Sequence, residues 1–261
     1  MAVVTITEGE FRAAQTVFGL QENAPGTAYF VEAVSSDNNY EVVLRRAAAQ
    51  GNIEAGQAVG ASVEDFRPEY VLLVGTAGGS GKDHGQVGDV VVADVVEYYE
   101  HRKYVGGRDL ARRTPCDQPS LFLRERFVEP LRVDGSWLAH IPAAYARPDP
   151  GVPKLLIGEI VAGEKLLGDA DNAYQAAVMT VYDKALAFDM ESWGIAKEIY
   201  QHRGTPGYNP QYLVIRGLSD IVSDPVNEDQ RVRWRDYASA AAAAVAYKVV
   251  GVLVETTEPE W

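Results

Sequence analysis

Residues 66–81 read FRPEYVLLVGTAGGSG. The apolar run from Tyr70 to Gly75 predicts a strand buried on both faces, as in a parallel sheet. The glycines after it predict a tight turn, because glycine adopts the positive φ angles that turns require. Open α/β sheets bind ligands at the C-terminal ends of their strands, so Gly75–Gly79 is a candidate edge of a site. Taken alone, such a glycine-rich segment is more often a turn than a binding site.

Outward from this stretch, apolar strands alternate with helical patterns in both directions along the chain. We predict further strands at residues 3–7, 27–34, 40–47, 87–99, 154–163, 185–190 and 211–220, a turn at 35–39, and helices at 10–18, 51–66, 192–200 and 234–254. This alternation predicts a single α/β domain over residues 1–261. Residues 105–152 are irregular and rich in Pro and Arg, with one helix at about 121–127, and we interpret them as an insertion over a site.

Charge and cysteine content limit the possible partners. The 261 residues carry 24 Lys and Arg against 37 Asp and Glu, a formal net charge of -13. This excess of acid argues against a nucleic acid partner or an anionic membrane, but a local basic patch would suffice for a phosphorylated small molecule. Cys116 is the only cysteine, so no internal disulfide forms, and the start of the chain resembles neither a signal peptide nor a membrane span. We therefore expect a soluble, cytoplasmic protein.

Groups of mainly polar residues lie at or just after the C-terminal ends of four of the predicted strands, where ligands bind. They are Glu8 and Glu10, then Thr76, then Asp189, Met190 and Glu191, and finally Arg216, Ser219 and Asp220. A single acid after a strand is most often the N-cap of the next helix, and this interpretation stands for Asp189 by itself. Burying an unpaired carboxylate is costly, so several acids at one sheet edge predict a site that uses them.

Several stretches, taken in order, resemble the nucleoside phosphorylase/nucleosidase superfamily. They are TITEGEFRAA, AAAQGNIEAGQA, FRPEYVLLVGTAGG with VGDVVVAD after it, IVAGEKLLGD, AFDMES and LVIRGLSD, and they span about residues 3–250. The resemblance is closest to the hydrolytic branch, the methylthioadenosine/S-adenosylhomocysteine nucleosidases and related domains. It implies a nucleoside phosphorylase-like domain with a central mixed β-sheet flanked by helices. It also implies a purine nucleosidase that needs no cofactor and hydrolyses the N-glycosidic bond of an adenine nucleoside or nucleotide.

The resemblance implies roles for the acids that follow the later strands. Met190 and Glu191 would hold the ribose, because one carboxylate can accept hydrogen bonds from both the 2′ and the 3′ hydroxyl. We expect the Glu191 carboxylate to be unpaired until a sugar arrives. Asp220, supported by Ser219, would be protonated near neutral pH and would donate to N7 of the purine, which makes the base a better leaving group. Asp189 would support the site or cap the following helix.

The resemblance assigns the attacking water to the other side of the site. Glu10 would activate this water, with Glu8 as the alternative if the alignment slips by two residues. Thr76 would bind the same water, and Arg216 would reach either the water or the ribose. Relatives form oligomers in which a neighbour often completes the active site, so we expect a homo-oligomer, most simply a dimer.

The base pocket and the 5′ pocket are where the sequence departs from the relatives. Ala77, Gly78, Leu166 and Leu167 would line the base, with Leu166 where relatives usually have a stacking aromatic ring. Methylthio-specific relatives have an apolar 5′ pocket, whereas two segments here supply His101, Arg102, Lys103, Arg231, Arg233, Trp234 and Arg235. Two interpretations stay open: solvated charged loops, or a 5′-phosphate site for AMP or ATP. Similar domains occur as effectors of bacterial immune systems that split adenine from ATP.

Three functions remain open from the sequence. An acid near the anomeric carbon repels phosphate and suits the activation of water, so hydrolysis is favoured over a phosphate-dependent purine nucleoside phosphorylase. A catalytically silent nucleotide-binding sensor is the third. The four histidines have no metal-ligand spacing, so no metal is expected.

Overall fold

The computed structural model describes residues 1–20, 29–33, 41–81, 85–112 and 114–256, with the backbone alone at 29–33, 108 and 255–256. The turn predicted at 35–39 lies outside the described residues. Ten strands are present in the described part: β1 Ala2–Thr5, β2 Tyr29–Ala33, β3 Glu41–Arg46, β4 Tyr70–Gly79, β5 Val90–Tyr98, β6 Arg102–Val105, β7 Arg108–Ala111, β8 Leu155–Ala162, β9 Ala187–Asp189 and β10 Gln211–Ile221.

Eight of these strands form one mixed sheet in the order β10-β5-β8-β9-β4-β1-β3-β2, while β6 and β7 pair separately. Strands β1 and β10 run parallel to β4, and β9 runs antiparallel to it. Because β10 pairs with both β4 and β5, five strands close into a ring. The central mixed sheet of an α/β domain is confirmed. The ends of β1, β4 and β10 lie together at one edge, because these three strands are parallel neighbours.

Helices cover both faces of the sheet. They are α1 Glu8–Phe18, α2 Asn52–Phe66, α3 Leu121–Leu123, α4 Glu129–Asp134, α5 Ala173–Val181, α6 Ser192–His202 and α7 Asn227–Thr256, with a π turn at Arg124–Val128 and a 3₁₀ turn at Ser136–His140. Sequence analysis did not predict α5. Its N-cap is Asn172, whose side chain accepts from the backbone N–H groups of Tyr174 at 2.9 Å and Gln175 at 3.2 Å.

Strand β4 continues through Gly79, so the turn predicted at Gly75–Gly79 is wrong. This segment stays extended because β10 pairs along its whole length and β9 pairs with Gly78 and Gly79. Glycine is needed in this segment because a side chain would collide with neighbouring residues. A Cβ atom on Gly75 would lie 2.5 Å from both Arg216 Nη1 and Glu10 Oε1. The missing side chain thus lets two charged groups approach the strand.

Helix α1 begins at Glu8 because of a capping box. The Thr7 hydroxyl accepts from the backbone N–H of Glu10 at 3.3 Å, and the Glu10 carboxylate accepts from the backbone N–H of Thr7 at 2.8 Å. Such a pair satisfies two donors that the first helical turn leaves open. The box also holds the Glu10 side chain back over the end of β1, toward the sheet edge.

The segment 105–152 is more regular than predicted, and the structure does not place it over the candidate site of its own chain. Its short helices bury Phe127, Leu131 and Trp137 in the core shared with α7. Apolar side chains at helical spacing hold this segment on the sheet, where it extends the core.

Helix α7 begins at Asn227, well before the predicted start at Trp234. Its alanine-rich middle is fully buried, and a Cβ on Gly217 of β10 would lie 2.1 Å from the Ala238 carbonyl oxygen. By length and composition, α7 is the one helix in the described residues that could cross a membrane. However, 78% of its most apolar window is buried inside the fold, as in the core helix of a soluble protein.

Candidate active site

Side chains from the ends of β1, β4, β9 and β10 meet at one pocket of about 110 Å³. Its lining consists of Ile6, Thr7, Glu10, Gln50, Thr76, Ala77, Gly78, Leu166, Phe188, Asp189, Met190, Glu191, Ser219, Asp220 and Arg231. A small adjoining cavity adds Lys165, Leu167 and Val222. The structure thus brings together most of the residues that the sequence placed at strand ends.

Glu10 is buried in the pocket with both carboxylate oxygens in use. Oε2 accepts from the backbone N–H groups of Ile6 at 3.1 Å and Thr7 at 2.8 Å. Oε1 accepts from Thr76 twice, from the backbone N–H at 2.7 Å and from the hydroxyl at 3.0 Å. Glu8 faces solvent instead, where it pairs with Arg12 and Arg46. Of the two predicted acids, Glu10 is therefore the one inside the pocket.

Arg216 joins the two acids that follow β9. Its guanidinium is fully buried and contacts Asp189 Oδ2 at 2.8 Å and Glu191 Oε2 at 3.0 Å. Glu191 Oε1 accepts from the backbone N–H of Gly51 at 3.2 Å. The expectation that Glu191 stays unpaired until a sugar arrives is wrong, because this arginine reaches it within the chain. Of the three nitrogens of the Arg216 guanidinium, Nη1 is the one without a hydrogen-bond partner among the described residues.

Asp189 holds the start of α6 and the arginine beside it, but it is not the N-cap of that helix. The N-cap is Glu191, so the interpretation of Asp189 as the N-cap is wrong. Oδ1 of Asp189 accepts from the backbone N–H groups of Glu191 at 3.3 Å and Ser192 at 3.1 Å, at the start of α6. Oδ2 accepts from the Ser192 hydroxyl and from Arg216 Nε. Asp189 therefore supports the site by anchoring the arginine that lies between the acids.

The pKa of Glu191 lies near neutral pH. Burial raises the pKa of Glu191 from 4.5 to about 7, with Arg216 opposing the rise and the negative charges of Asp189 and Glu10 adding to it. The same three carboxylates raise the pKa of Arg216 against the effect of its burial, so the arginine stays charged. The ribose-binding acid predicted from the sequence thus gains or loses its proton near physiological pH.

Asp220 is buried at the opposite wall and forms an ion pair. Arg231 contacts it through Nη2 to Oδ2 at 3.1 Å and through Nε to Oδ1 at 3.3 Å. The Ser219 hydroxyl donates to Oδ1 at 2.7 Å. The support expected from Ser219 is present, whereas the contact with Arg231 was not expected.

The loop Gly163–Gly168 carries Leu166 and Leu167, the two residues predicted to line the base. Leu167 is buried, while Leu166 is 63% exposed and lines the pocket from its open side. The Tyr99 hydroxyl donates to the Lys165 carbonyl at 2.6 Å, and Asn227 Nδ2 donates to the Gly168 carbonyl at 2.8 Å. The loop is therefore held on both sides of Leu166, whose side chain is free to contact a ligand.

The structure does not bring the other predicted 5′-pocket residues to this pocket. They have partners elsewhere: His101 with Thr114, Arg102 with Asp109, Arg233 with Asp149 and Arg235 with Asp236, while Lys103 is exposed and Trp234 is buried beside Tyr237. Each charged side chain except Lys103 lies beside a polar or acidic partner at the surface. Within one chain, the interpretation as solvated charged loops fits them better than a phosphate site.

Sequence reasoning missed the pairing of Arg231 with Asp220 and the contributions of Gln50 and Gly51. The pairing of Arg231 with Asp220 was hidden because helix α7 begins earlier than predicted, and it places Arg231 eleven residues after Asp220 on the pocket side. Gln50 and Gly51 come from the loop before α2. The motif AAAQGNIEAGQA marked this loop, but no role had been assigned to its residues. In the described part of the chain, no cluster of His, Cys, Asp and Glu is placed to hold a metal ion.

Comparison with known proteins agrees with this geometry. The model of the phosphorylase superfamily matches residues 2–251. The chain belongs to the phosphorylase superfamily. It is 24% identical over 220 residues to the 5′-methylthioadenosine/S-adenosylhomocysteine nucleosidase of Staphylococcus saprophyticus, which covers 83% of this chain and 82% of the relative. It is also 24% identical over 263 residues to the ATP nucleosidase Cap17 of Escherichia coli, covering 93% of this chain but 49% of that relative.

A solved structure shares the fold. The 5′-methylthioadenosine/S-adenosylhomocysteine nucleosidase of Neisseria meningitidis, in complex with methylthio-immucillin-A, superposes with a TM-score of 0.73 at 18% identity. The match covers 96% of this chain and 98% of the other. Within the phosphorylase superfamily, the fold of this chain is thus that of a nucleosidase of known structure.

Proposed function

We propose that this phosphorylase-superfamily chain hydrolyses the N-glycosidic bond of purine nucleosides, with adenine as the base. One observation carries the proposal: Asp220, Glu10 and Glu191 line a single pocket at the edge of the sheet. These three acids supply a proton donor for the base, a base for the water and an acceptor for the sugar hydroxyls. The relatives named above as nucleosidases act on adenine-containing compounds, which supports adenine as the base.

In the proposed reaction, Asp220 gives its proton to N7 of the purine. The bond between C1′ and the base nitrogen then breaks with its electron pair going to the neutral base, and the sugar develops positive charge as an oxocarbenium-like species. Water adds to C1′ and loses a proton to Glu10. The Glu191 carboxylate accepts the hydrogen bonds of the ribose hydroxyls and lies close enough to favour the positive charge on the sugar.

The water is placed by the groups around Glu10. The Thr76 hydroxyl now donates to Glu10 Oε1, and rotation about its C–O bond would free that oxygen to accept a proton from water. Arg216 Nη1 and Glu10 Oε1 both approach Gly75 closely, and this Nη1 has no partner among the described residues. A donor and an acceptor side by side suit one water molecule.

Hydrolysis is favoured over phosphorolysis by the charges of the pocket. Among its described lining residues, including the small adjoining cavity, the cations are Arg231 and Lys165. Each is already paired, Arg231 with Asp220 and Lys165 with Glu100. Three carboxylates surround Arg216, the buried cation next to the water position. A phosphate ion at that position would meet net negative charge, which is unfavourable in a poorly solvated site.

The same charges favour substrates without a 5′ phosphate. Of the cations considered for a 5′-phosphate site, Arg231 lines the pocket but is paired with Asp220. Lys103 is exposed outside the pocket lining, and the others have partners elsewhere, as described above. AMP and ATP remain the alternative substrates that the resemblance to Cap17 suggests, and they require cations from outside the described pocket.

The proposal is tested by measuring free adenine by chromatography. Purified protein is incubated with adenosine, methylthioadenosine, AMP and ATP, with and without phosphate. We expect adenine from the two nucleosides at rates that phosphate does not change. Release that requires phosphate would identify a phosphorylase, and tight binding without any release would identify a sensor.

Asp220→Asn and Asp224→Asn provide a matched pair for the same assay. Asp224 lies four residues further on, where it accepts from the Val226 backbone N–H and from Gln230 outside the pocket. We expect Asp220→Asn to lose about 10²–10⁴-fold in rate, as for the loss of a general acid. Asp224→Asn should keep the parent rate. Equal rates in the two variants would rule out Asp220 as the proton donor.

A further inference from the structure

We infer that Asn52 is a positioning residue that couples the sugar side of the pocket to the base side; this inference rests on the proposed function. Asn52 is the first residue of α2, is 2% exposed and does not line the pocket. Its side chain reaches two other segments of the site, and each of these segments carries residues that contact the pocket.

The amide oxygen of Asn52 acts on the sugar side. It accepts from the backbone N–H of Gly194, in the first turn of α6, at 2.8 Å. The neighbouring backbone N–H of Gly51 donates to Glu191 at 3.2 Å. A Cβ on Gly194 would lie 1.9 Å from the Asn52 carbonyl oxygen, so the two helix starts are in close backbone contact. The position of Glu191 therefore depends on how α2 and α6 meet at Asn52.

The amide nitrogen of Asn52 acts on the base side. Nδ2 donates to the Gly163 carbonyl and to Glu164 Oε1, both at 3.0 Å. These residues begin the loop that carries Leu166 into the pocket. The backbone N–H of Gly163 in turn donates to the Asp189 carbonyl at 3.1 Å, beside the acids. The same side chain thus holds the loop and the helix start that carries the sugar-binding acid.

A purely local role does not explain this residue. Asparagine near a helix start usually caps its own helix. Here Gly51 is the N-cap without a side-chain hydrogen bond, and the hydrogen bonds of the Asn52 amide leave helix α2. Both donor hydrogens and the oxygen are used, so the orientation of the amide is fixed by its partners.

Two substitutions separate the two contacts. Asn52→Asp keeps the oxygen that accepts from Gly194 but replaces the donor with an oxygen facing the Gly163 carbonyl and Glu164. Asn52→Leu removes both contacts at similar volume. Tyr98→Phe is the matched control, because it removes a hydroxyl that also donates to Glu164 Oε1, at 3.0 Å, and keeps the ring that stacks on Trp193 of α6.

The measurement is calorimetric binding of adenosine, 2′-deoxyadenosine and adenine, made in an Asp220→Asn background so that ligands are not consumed. In the parent, we expect adenosine to bind roughly 10- to 150-fold more tightly than 2′-deoxyadenosine, as for a hydrogen bond to a charged group. Asn52→Leu should bring this ratio toward one and weaken adenine. Asn52→Asp should weaken adenine but keep the ratio, and Tyr98→Phe should keep the ratio.

The outcomes distinguish this inference from the proposed function. If Asn52→Leu weakens both nucleosides equally and leaves the ratio unchanged, Asn52 is merely structural and the inference is overturned. If the ratio collapses as expected but the protein with Asp220 intact releases no adenine, the inference stands and the proposed hydrolysis fails. If the Asp220→Asn protein with Asn52 unchanged binds none of the three ligands, both the inference and the proposed function are overturned.

Discussion

At the scale of single residues, the partner of each buried carboxylate decides what it can do. Glu10 is held by four hydrogen bonds, Glu191 by Arg216 and a backbone N–H, and Asp220 by Arg231 and Ser219. Such pairing removes the penalty of burying an acid without a partner. A ligand that enters the pocket exchanges some of these contacts for its own, and predictions for these acids follow from which contacts are exchanged.

Glu10→Gln should reduce hydrolysis by about 10²–10⁴-fold, because glutamine cannot accept the proton of water. Glu8→Gln, two residues away and facing solvent, is the control and should keep the parent rate. Initial rates of adenine release compare the two, and thermal unfolding checks that both variants fold. A Glu8→Gln variant that loses as much rate as Glu10→Gln would refute the assignment.

Adenosine binding should strengthen as pH rises from about 6 to about 8, because the pKa of Glu191 is raised to about 7 and only its carboxylate accepts from two hydroxyls. 2′-Deoxyadenosine should show a smaller dependence. Calorimetry in the Asp220→Asn background at several pH values measures both, and identical dependence for the two ligands would contradict the role of Glu191.

The raised pKa of Glu191 should make the folded protein less stable as pH rises, whereas it makes adenosine binding stronger. The folded protein keeps a proton on Glu191 that the unfolded chain releases near its ordinary pKa of 4.5. The stabilisation from this proton is complete below that pKa and is lost as pH rises through about 7. Glu191→Gln should therefore reduce the decline in the free energy of unfolding between these pH values, as urea titrations can measure.

At the scale of elements, strand β4 shows how a glycine-rich stretch serves the site without forming a turn. Its extended course depends on β9 and β10, which lie more than a hundred residues away in sequence. Local sequence cannot report such neighbours, and glycine is disfavoured in strands by itself. The apolar runs of β1, β4, β8 and β10 were sufficient to predict that these strands exist. The point where β4 ends and the point where α7 begins could not be predicted in this way.

Gly75→Ala should destabilise the protein by about 1–3 kcal/mol and reduce activity strongly, because the added methyl group would collide with Glu10 and Arg216. Gly251→Ala in α7 is the control. Nothing lies within 4 Å of a Cβ there, and alanine is the better helix former by about 1 kcal/mol. Urea unfolding and adenine release report the two effects. Full activity in Gly75→Ala would disprove the crowding at β4.

At the scale of the whole molecule, the sequence predicted the fold class and the sheet edge that carries the site. Parallel neighbours place their ends together, which explains why the ends of β1, β4 and β10 meet. The place of Asp189 and Glu191 at the same edge depends instead on β9, which runs antiparallel to β4. The charge network within the pocket was not predictable. The pairing of Arg216 with two acids and of Arg231 with Asp220 depends on side chains from separate elements. The predicted homo-oligomer stays a prediction, which light scattering of the purified protein can measure.

The central claim is that Asp220 protonates the departing purine. The most direct test compares the kcat/KM of Asp220→Asn with that of the parent protein on adenosine and on p-nitrophenyl β-D-riboside, whose leaving group departs without a proton. We predict a loss of about 10²-fold or more on adenosine and little loss on the nitrophenyl riboside. Equal losses on the two substrates would contradict the claim.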